Sequence, residues 1–183
     1  MTTILGLSGS LRRASLNSAL LRAGAQLAPP GVTLRIGDIR GVPLYDGDLE
    51  AESGIPAAVT ALTDALAAAD GLLLVTPEYN NGVPGVLKNA LDWMSRGPGL
   101  ERFRGKPVAV IGASPGAFGT AHAQSHWLPV LRSLAMRPWF EGRLMVSRAG
   151  GLIDAQGHLT DEATRTKLAD FIAGFAASIG GRP

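Results

Sequence analysis

Apolar and polar positions along this chain fall into two patterns that take turns. Short unbroken runs rich in Leu, Val and Ile, at residues 3–7, 33–36, 71–75, 107–113 and 144–146, read as strands buried on both faces. Between them apolar residues recur at helical spacing: Leu16, Leu20 and Leu27; Val59, Leu62 and Leu66; Val86, Leu87 and Leu91; Leu128, Leu131 and Leu134; and Leu168, Phe171, Ile172 and Phe175. Strict alternation of strand and helix predicts an α/β fold. With right-handed crossovers, five such units give a doubly wound, five-stranded parallel sheet between two helical layers, and the commonest order for five strands is 2-1-3-4-5. Residues 38–55, DIRGVPLYDGDLEAESGI, hold too much Gly and Pro to continue a strand and are predicted to form a long loop over one end of the sheet. The chain has 183 residues and no internal repeat, so one domain spanning 1–183 is expected.

Composition narrows the chemistry. Hydrophobic residues make up 46% and charged ones 17%, enough for a packed core and unlike a disordered chain. The absence of cysteine removes disulfides, thiolate metal sites and cysteine nucleophiles together, so redox chemistry here would need a cofactor. Lys and Arg number 17 against 15 Asp and Glu, with no run of like charges, and no nucleic-acid partner is implied. The opening segment MTTILGLSGSLRR places its apolar stretch before its arginines, the reverse of a secretory signal. No apolar run approaches the roughly 18 residues of a membrane span, so no membrane partner and a cytoplasmic location are expected.

In a sheet of this order, ligands bind beyond the carboxyl ends of the strands where the order reverses, which directs attention to the loops after strands 1, 3 and 4. The first, GSLRRASLN, enters a helix. Ser15 suits its N-cap, the free N–H groups of the first turn favour an anion, and Ser10, Arg12 and Asn17 add side-chain donors, so a phosphate fits. Neither a G-x-x-x-x-G-K-[ST] loop nor a G-x-G-x-x-G turn follows strand 1, which argues against a nucleoside triphosphate or a resident dinucleotide. The loop after strand 3, TPEYNNGVP, is stiff and polar, with an aromatic ring and amides able to clamp a flat heterocycle. The same residues also suit an ordinary turn.

The pair GSLRRASLN and PEYNNGVPGVLKNALDW resembles the NAD(P)H-dependent FMN reductase family, which includes bacterial quinone and chromate reductases of flavodoxin-like fold. The resemblance runs from the first strand to about Leu134. It implies that Ser10, Arg12, Ser15, Leu16 and Asn17 hold the FMN phosphate end, and that Pro77, Glu78, Tyr79 and Asn80 lie along the isoalloxazine. A third contact is implied at residues 113–119, through Ser114 and Gly116, where small residues let the backbone approach the flavin. FMN would be the bound cofactor and NADPH or NADH the co-substrate. The activity so implied is ping-pong hydride transfer to small acceptors such as quinones, free flavin, azo compounds or metal oxyanions, with no catalytic side chain needed. A homodimer or homotetramer is implied as well, although Pro129 interrupts the helix that carries oligomer contacts in the relatives. Trp127 and Trp139 flank that helix, and both are expected at an interface if Leu128, Leu131 and Leu134 fill the core-facing stripe.

Rival readings rest on less. Residues 112–116 match a G-x-S-x-G nucleophile elbow, with Ser114 as nucleophile and Asp154 and His158 following in triad order. Pro115, however, lacks the N–H that such an elbow needs for its oxyanion hole. His122, His126 and Glu141 suggest metal ligands, but without an H-E-x-x-H pattern a solvated face is expected and no metal is assigned. A flavodoxin-type electron carrier would show a strongly acidic surface, which 17 basic against 15 acidic residues do not supply. A flavin-binding regulatory module without turnover is the remaining alternative on this fold.

Overall fold

The computed structural model describes residues 1–181; the expected end of the domain at residue 183 lies outside the described residues. In chain order the elements are β1 (Thr2–Ser8), α1 (Leu16–Gln26), β2 (Val32–Gly37), α2 (Gly47–Ser53), α3 (Ala57–Ala67), β3 (Gly71–Val75), α4 (Gly85–Met94), α5 (Leu100–Phe103), β4 (Pro107–Ala113), α6 (Ala121–Ser133), β5 (Arg137–Pro138), β6 (Met145–Val146) and α7 (Glu162–Gly180). All strand pairs are parallel, in the order β2-β1-β3-β4-β5, as the alternation of patterns predicts.

Successive residues of a strand face opposite sides of the sheet, so an unbroken apolar run feeds two cores at once. Leu5, Leu7, Leu72 and Leu74 pack on one side with Val59, Leu62 and Leu66 of α3, Leu87 and Leu91 of α4, and Trp127 and Leu131 of α6. Ile4, Leu73, Val75, Ala109 and Ile111 pack on the other with Leu20 and Leu21 of α1 and Leu168, Ile172 and Phe175 of α7. The result is a sheet with helices on both faces and its strand ends free.

Four sequence expectations are corrected. β2 is an edge strand, so only Leu34 is buried while Arg35 and Ile36 are exposed. The predicted fifth strand at residues 144–146 is one half of a split edge. β5 pairs with the start of β4, Pro107 opposite Arg137, and β6 with its end, Ala113 opposite Val146. Pro138 has no N–H for a ladder and suits a two-residue edge piece.

Residues 38–55 are not simply a loop, since they contain α2, capped by the Asp46 carboxylate on the Asp48 N–H at 2.9 Å. The segment is pinned to α4. Asn89 Nδ2 and Trp93 Nε1 both donate to the Pro43 carbonyl, at 2.7 and 3.0 Å, the Tyr45 N–H donates to Asn89 Oδ1 at 2.8 Å, and Arg96 pairs with Glu50 at 2.8 Å.

The fourth correction concerns α6. Its inward stripe is Ala123, Trp127 and Leu131, all fully buried, whereas Leu128 is exposed. Trp127 therefore belongs to the core. Trp139 is half-buried edge-on against Phe171, with ring centroids 5.0 Å apart, and its Nε1 is a buried donor with no partner among the described residues. Pro129 does not break the helix: it lies on the outer face, where the carbonyl of exposed Ser125, freed by the missing N–H, meets water.

Candidate functional site

Register places the ends of β1, β3 and β4 side by side, with Ser8 opposite Val75 and Val75 opposite Ile111. Hydrogen bonds carry this alignment into the loops. The Gly9 N–H donates to the Val75 carbonyl at 2.9 Å and the Thr76 N–H to the Ile111 carbonyl at 2.8 Å. Gly9 is packed so closely that a Cβ there would lie 2.8 Å from both Pro77 and Pro84, which presses the first loop against the third.

In the first loop Ser15 caps α1 as its residue type predicts, its hydroxyl accepting the Ser18 N–H at 3.1 Å. Ser10 is buried and accepts the Arg12 N–H at 3.4 Å. Among the described residues, the N–H groups of Leu11, Arg13, Ala14, Ser15, Leu16 and Asn17 have no protein acceptor. That is a run of free donors at the positive end of a helix, and Arg12 stands exposed among them with no ion pair among the described residues. The Asn17 side chain is used otherwise. Its Oδ1 accepts the Ala113 N–H at 2.8 Å and its Nδ2 donates to the Ala113 carbonyl at 2.9 Å, which ties α1 to the end of β4.

The third loop is a miniature hairpin. Tyr79 and Gly82 exchange both backbone hydrogen bonds, at 3.2 and 2.9 Å, around Asn80 and Asn81 with φ of 50° and 61°. Two successive positive φ values define a type I′ turn, and Asn tolerates them better than most residues. This arrangement leaves the Tyr79 ring half in solvent while Pro77 stays buried. Glu78 turns aside, its carboxylate accepting the Ala123 N–H at 2.9 Å, where a negative charge complements the first turn of α6.

The fourth loop leaves β4 through Ser114, whose N–H donates to Val146 at 3.0 Å, and exposes residues 115–118 as an open stretch of backbone. Gly116 lies in that stretch, and its carbonyl accepts the Arg148 N–H at 2.9 Å. The residues of the elbow pattern do not form a triad. His158 is hydrogen-bonded to Asp154 within one turn, ring to carboxylate at 3.1 Å, and that turn lines a groove with Arg13, Ala14 and Ser15 instead of meeting the Ser114 hydroxyl. The carboxyl of Asp154 is held below its usual range, chiefly by the His158 backbone N–H and further by the ring and the Gln156 N–H. His122, His126 and Glu141 are all exposed, and among the described residues no three His, Cys, Asp or Glu side chains gather where they would hold a metal ion. No sequence pattern shows that Thr76, Gly112 and Thr120 pack together at the ends of the third and fourth strands. Their signal is volume and burial, not residue type.

Residues 2–151 match the family of NADPH-dependent FMN reductases, five-sixths of the sequence and all three loops included. The chain belongs to this family. An NAD(P)H-dependent FMN reductase of Pseudomonas aeruginosa is 48% identical over 162 residues, covering 88% of this chain and 86% of that protein. A 2-hydroxy-1,4-benzoquinone reductase from a Burkholderia species is 45% identical over 174 residues, covering 95% and 94%. Among solved structures, the flavoenzyme NAD(P)H:(acceptor) oxidoreductase FerB of Paracoccus denitrificans superposes with a TM-score of 0.87 at 34% identity, covering 98% of each chain. Like the other members of the FMN reductase family, the chain is an oxidoreductase, and among the described residues no helix is long and apolar enough to cross a membrane.

Proposed function

We propose that this chain binds FMN across the three loops and uses NADPH or NADH to reduce small acceptors, quinones foremost, in the cytoplasm. The observation that carries this reading is the set of N–H groups at residues 11 and 13–17 with no acceptor among the described residues, beside Arg12 and one strand away from the half-exposed Tyr79 ring. A phosphate suits the first and a flat ring the second.

Ser10, Arg12, Ser15 and the backbone of Leu16 and Asn17 would hold the phosphate. Pro77, Glu78, Tyr79, Asn80, Ser114 and Gly116 would border the ring, mainly through backbone. When bound, FMN supplies the redox chemistry, taking hydride equivalents from the nicotinamide and passing them to the acceptor. The chain's own part is to orient and to shield. The type I′ turn fixes the Tyr79 shelf, the buried prolines limit water from below, and the exposed stretch at 115–118 leaves room for a planar substrate. No side chain is required as acid or base, and a shared binding place predicts ping-pong kinetics, with parallel double-reciprocal lines when NAD(P)H and quinone are varied. A one-electron carrier is less favoured by a surface of nearly balanced charge.

Titration of apoprotein with FMN tests the phosphate assignment. Arg12→Ala is expected to weaken binding by about 1.5 to 3 kcal/mol, the loss of a charge-assisted hydrogen bond, and to leave the melting temperature unchanged because Arg12 is exposed. Unchanged FMN affinity would return the loop to a plain capped turn.

The proposal includes association into a dimer or a dimer of dimers through the outer face of α6. With Trp127 in the core, the support is a different set of residues: Leu128, Phe140 and Met145 are exposed around a cavity of about 350 Å³ that also meets the half-buried Trp139, and Phe118 is exposed in the loop before the same helix. Large apolar side chains exposed around one cavity mark a candidate interaction surface. Light scattering at micromolar concentration should give at least twice the chain mass, and Leu128→Glu should give the monomer. A monomeric wild type would end the association claim.

A further inference from the structure

Ala123 and Trp127 stand four residues apart, hence one turn apart on the same face of α6. Each reaches the segment at residues 76–78. The Ala123 N–H donates to the Glu78 carboxylate, as described above. Trp127 Nε1 donates to Thr76 Oγ1 at 3.0 Å, and the Thr76 hydroxyl donates to the Pro77 carbonyl at 2.8 Å. Thr76 and Trp127 are both fully shielded from solvent.

The direction of this chain of bonds is fixed by chemistry. An indole N–H only donates, so the Thr76 oxygen must accept from Trp127, and its single proton is left for Pro77. The peptide joining Pro77 to Glu78 is planar and trans, so the Pro77 carbonyl and the Glu78 N–H point in opposite directions. Because the carbonyl is held toward the buried hydroxyl, the N–H is held pointing away from that hydroxyl. Among the described residues the Glu78 N–H has no acceptor.

We infer that Trp127 and Thr76 are positioning residues whose hydrogen-bond relay aims the Glu78 N–H at an acceptor atom on the edge of the bound ring. This rests on the flavin reading above. A ring edge that accepts a hydrogen bond is favoured more by a donor already aimed than by one that must be oriented on binding.

The experiment uses the full chain labelled with ¹⁵N, FMN as the probe, and the flavin midpoint potential as a readout independent of turnover. On adding FMN to wild-type apoprotein the Glu78 amide signal should move. Thr76→Val and Trp127→Phe should each weaken FMN binding by about tenfold, the loss expected when one hydrogen bond is misdirected, and should shift the potential in the same direction. Thr76→Ser keeps the hydroxyl and should restore both properties. Wild-type affinity and potential in a Thr76→Val protein that merely melts lower would overturn the relay, as would a Glu78 signal that FMN does not move. If Thr76→Val fails to fold, Trp127→Phe, which keeps an aromatic ring in the core, decides by the same readouts. If the wild type takes up no FMN, the functional reading fails by itself. The relay is then judged on the apoprotein, where Trp127→Phe should displace the Glu78 amide signal and an unmoved signal would overturn it.

Discussion

Gly112→Ala is expected to destabilise the protein severely, by about 3 kcal/mol or more. A Cβ at this position would run into the Thr76 carbonyl oxygen and the Thr120 hydroxyl. Neither can retreat. Thr76 is bonded through its N–H to Ile111 and lies fully buried just after the third strand, while the fully buried Thr120 hydroxyl accepts from Gln124 Nε2 at 3.1 Å. Overpacking costs about 1 to 3 kcal/mol where side chains can adjust, and an obstacle made partly of backbone belongs at or above the top of that range. Total stability is only about 5 to 15 kcal/mol, so a loss of roughly 3 or more is severe. Urea denaturation should show the midpoint falling by a large fraction. Gly116→Ala is the control, because a Cβ there meets only the Ser114 hydroxyl at 3.6 Å, and it should melt like the wild type. A Gly112→Ala protein of normal stability would mean that the third and fourth strand ends are not packed this tightly. The prediction also bears on the G-x-S-x-G pattern, since Gly112 is accounted for by packing and not by a nucleophile elbow.

How much was legible in the sequence depends on whether the signal was local. Strand order followed from unbroken apolar runs, and the loops at their ends supplied the candidate site, because burial on both faces and a helix start are each written in a few adjacent residues. The split edge was not legible: two-residue pieces containing Pro138 carry no alternation to read. On α6 the choice between Trp127 and Leu128 as the inward residue turned on a single step of 100°, and both are apolar. Asn17 and Glu78 were recognisable as polar residues in the loops of the candidate site, but their partners, Ala113 and Ala123, lie 96 and 45 residues away and are ordinary backbone. A sequence pattern shows which donors and acceptors a loop owns. Only the fold shows which of them are already taken.

Asn17→Ala tests that distinction. Its amide is almost wholly buried and satisfies both backbone groups of Ala113, accepting at 2.8 Å and donating at 2.9 Å. Removing it leaves a buried N–H and a buried C=O unpaired, each costing about 1 to 3 kcal/mol, so a total loss of roughly 2 to 6 kcal/mol is expected. Asn17→Asp should also destabilise, because a carboxylate keeps the acceptor but sets a negative charge against the Ala113 carbonyl. Since this amide joins the first loop to the fourth, FMN affinity should fall together with the melting temperature. Arg12→Ala should lower affinity alone. That contrast separates a residue that holds the ligand from one that holds the loops. An Asn17→Ala protein that melts normally but binds FMN poorly would assign the amide to the phosphate after all, and would require the Ala113 contact to yield when the ligand arrives.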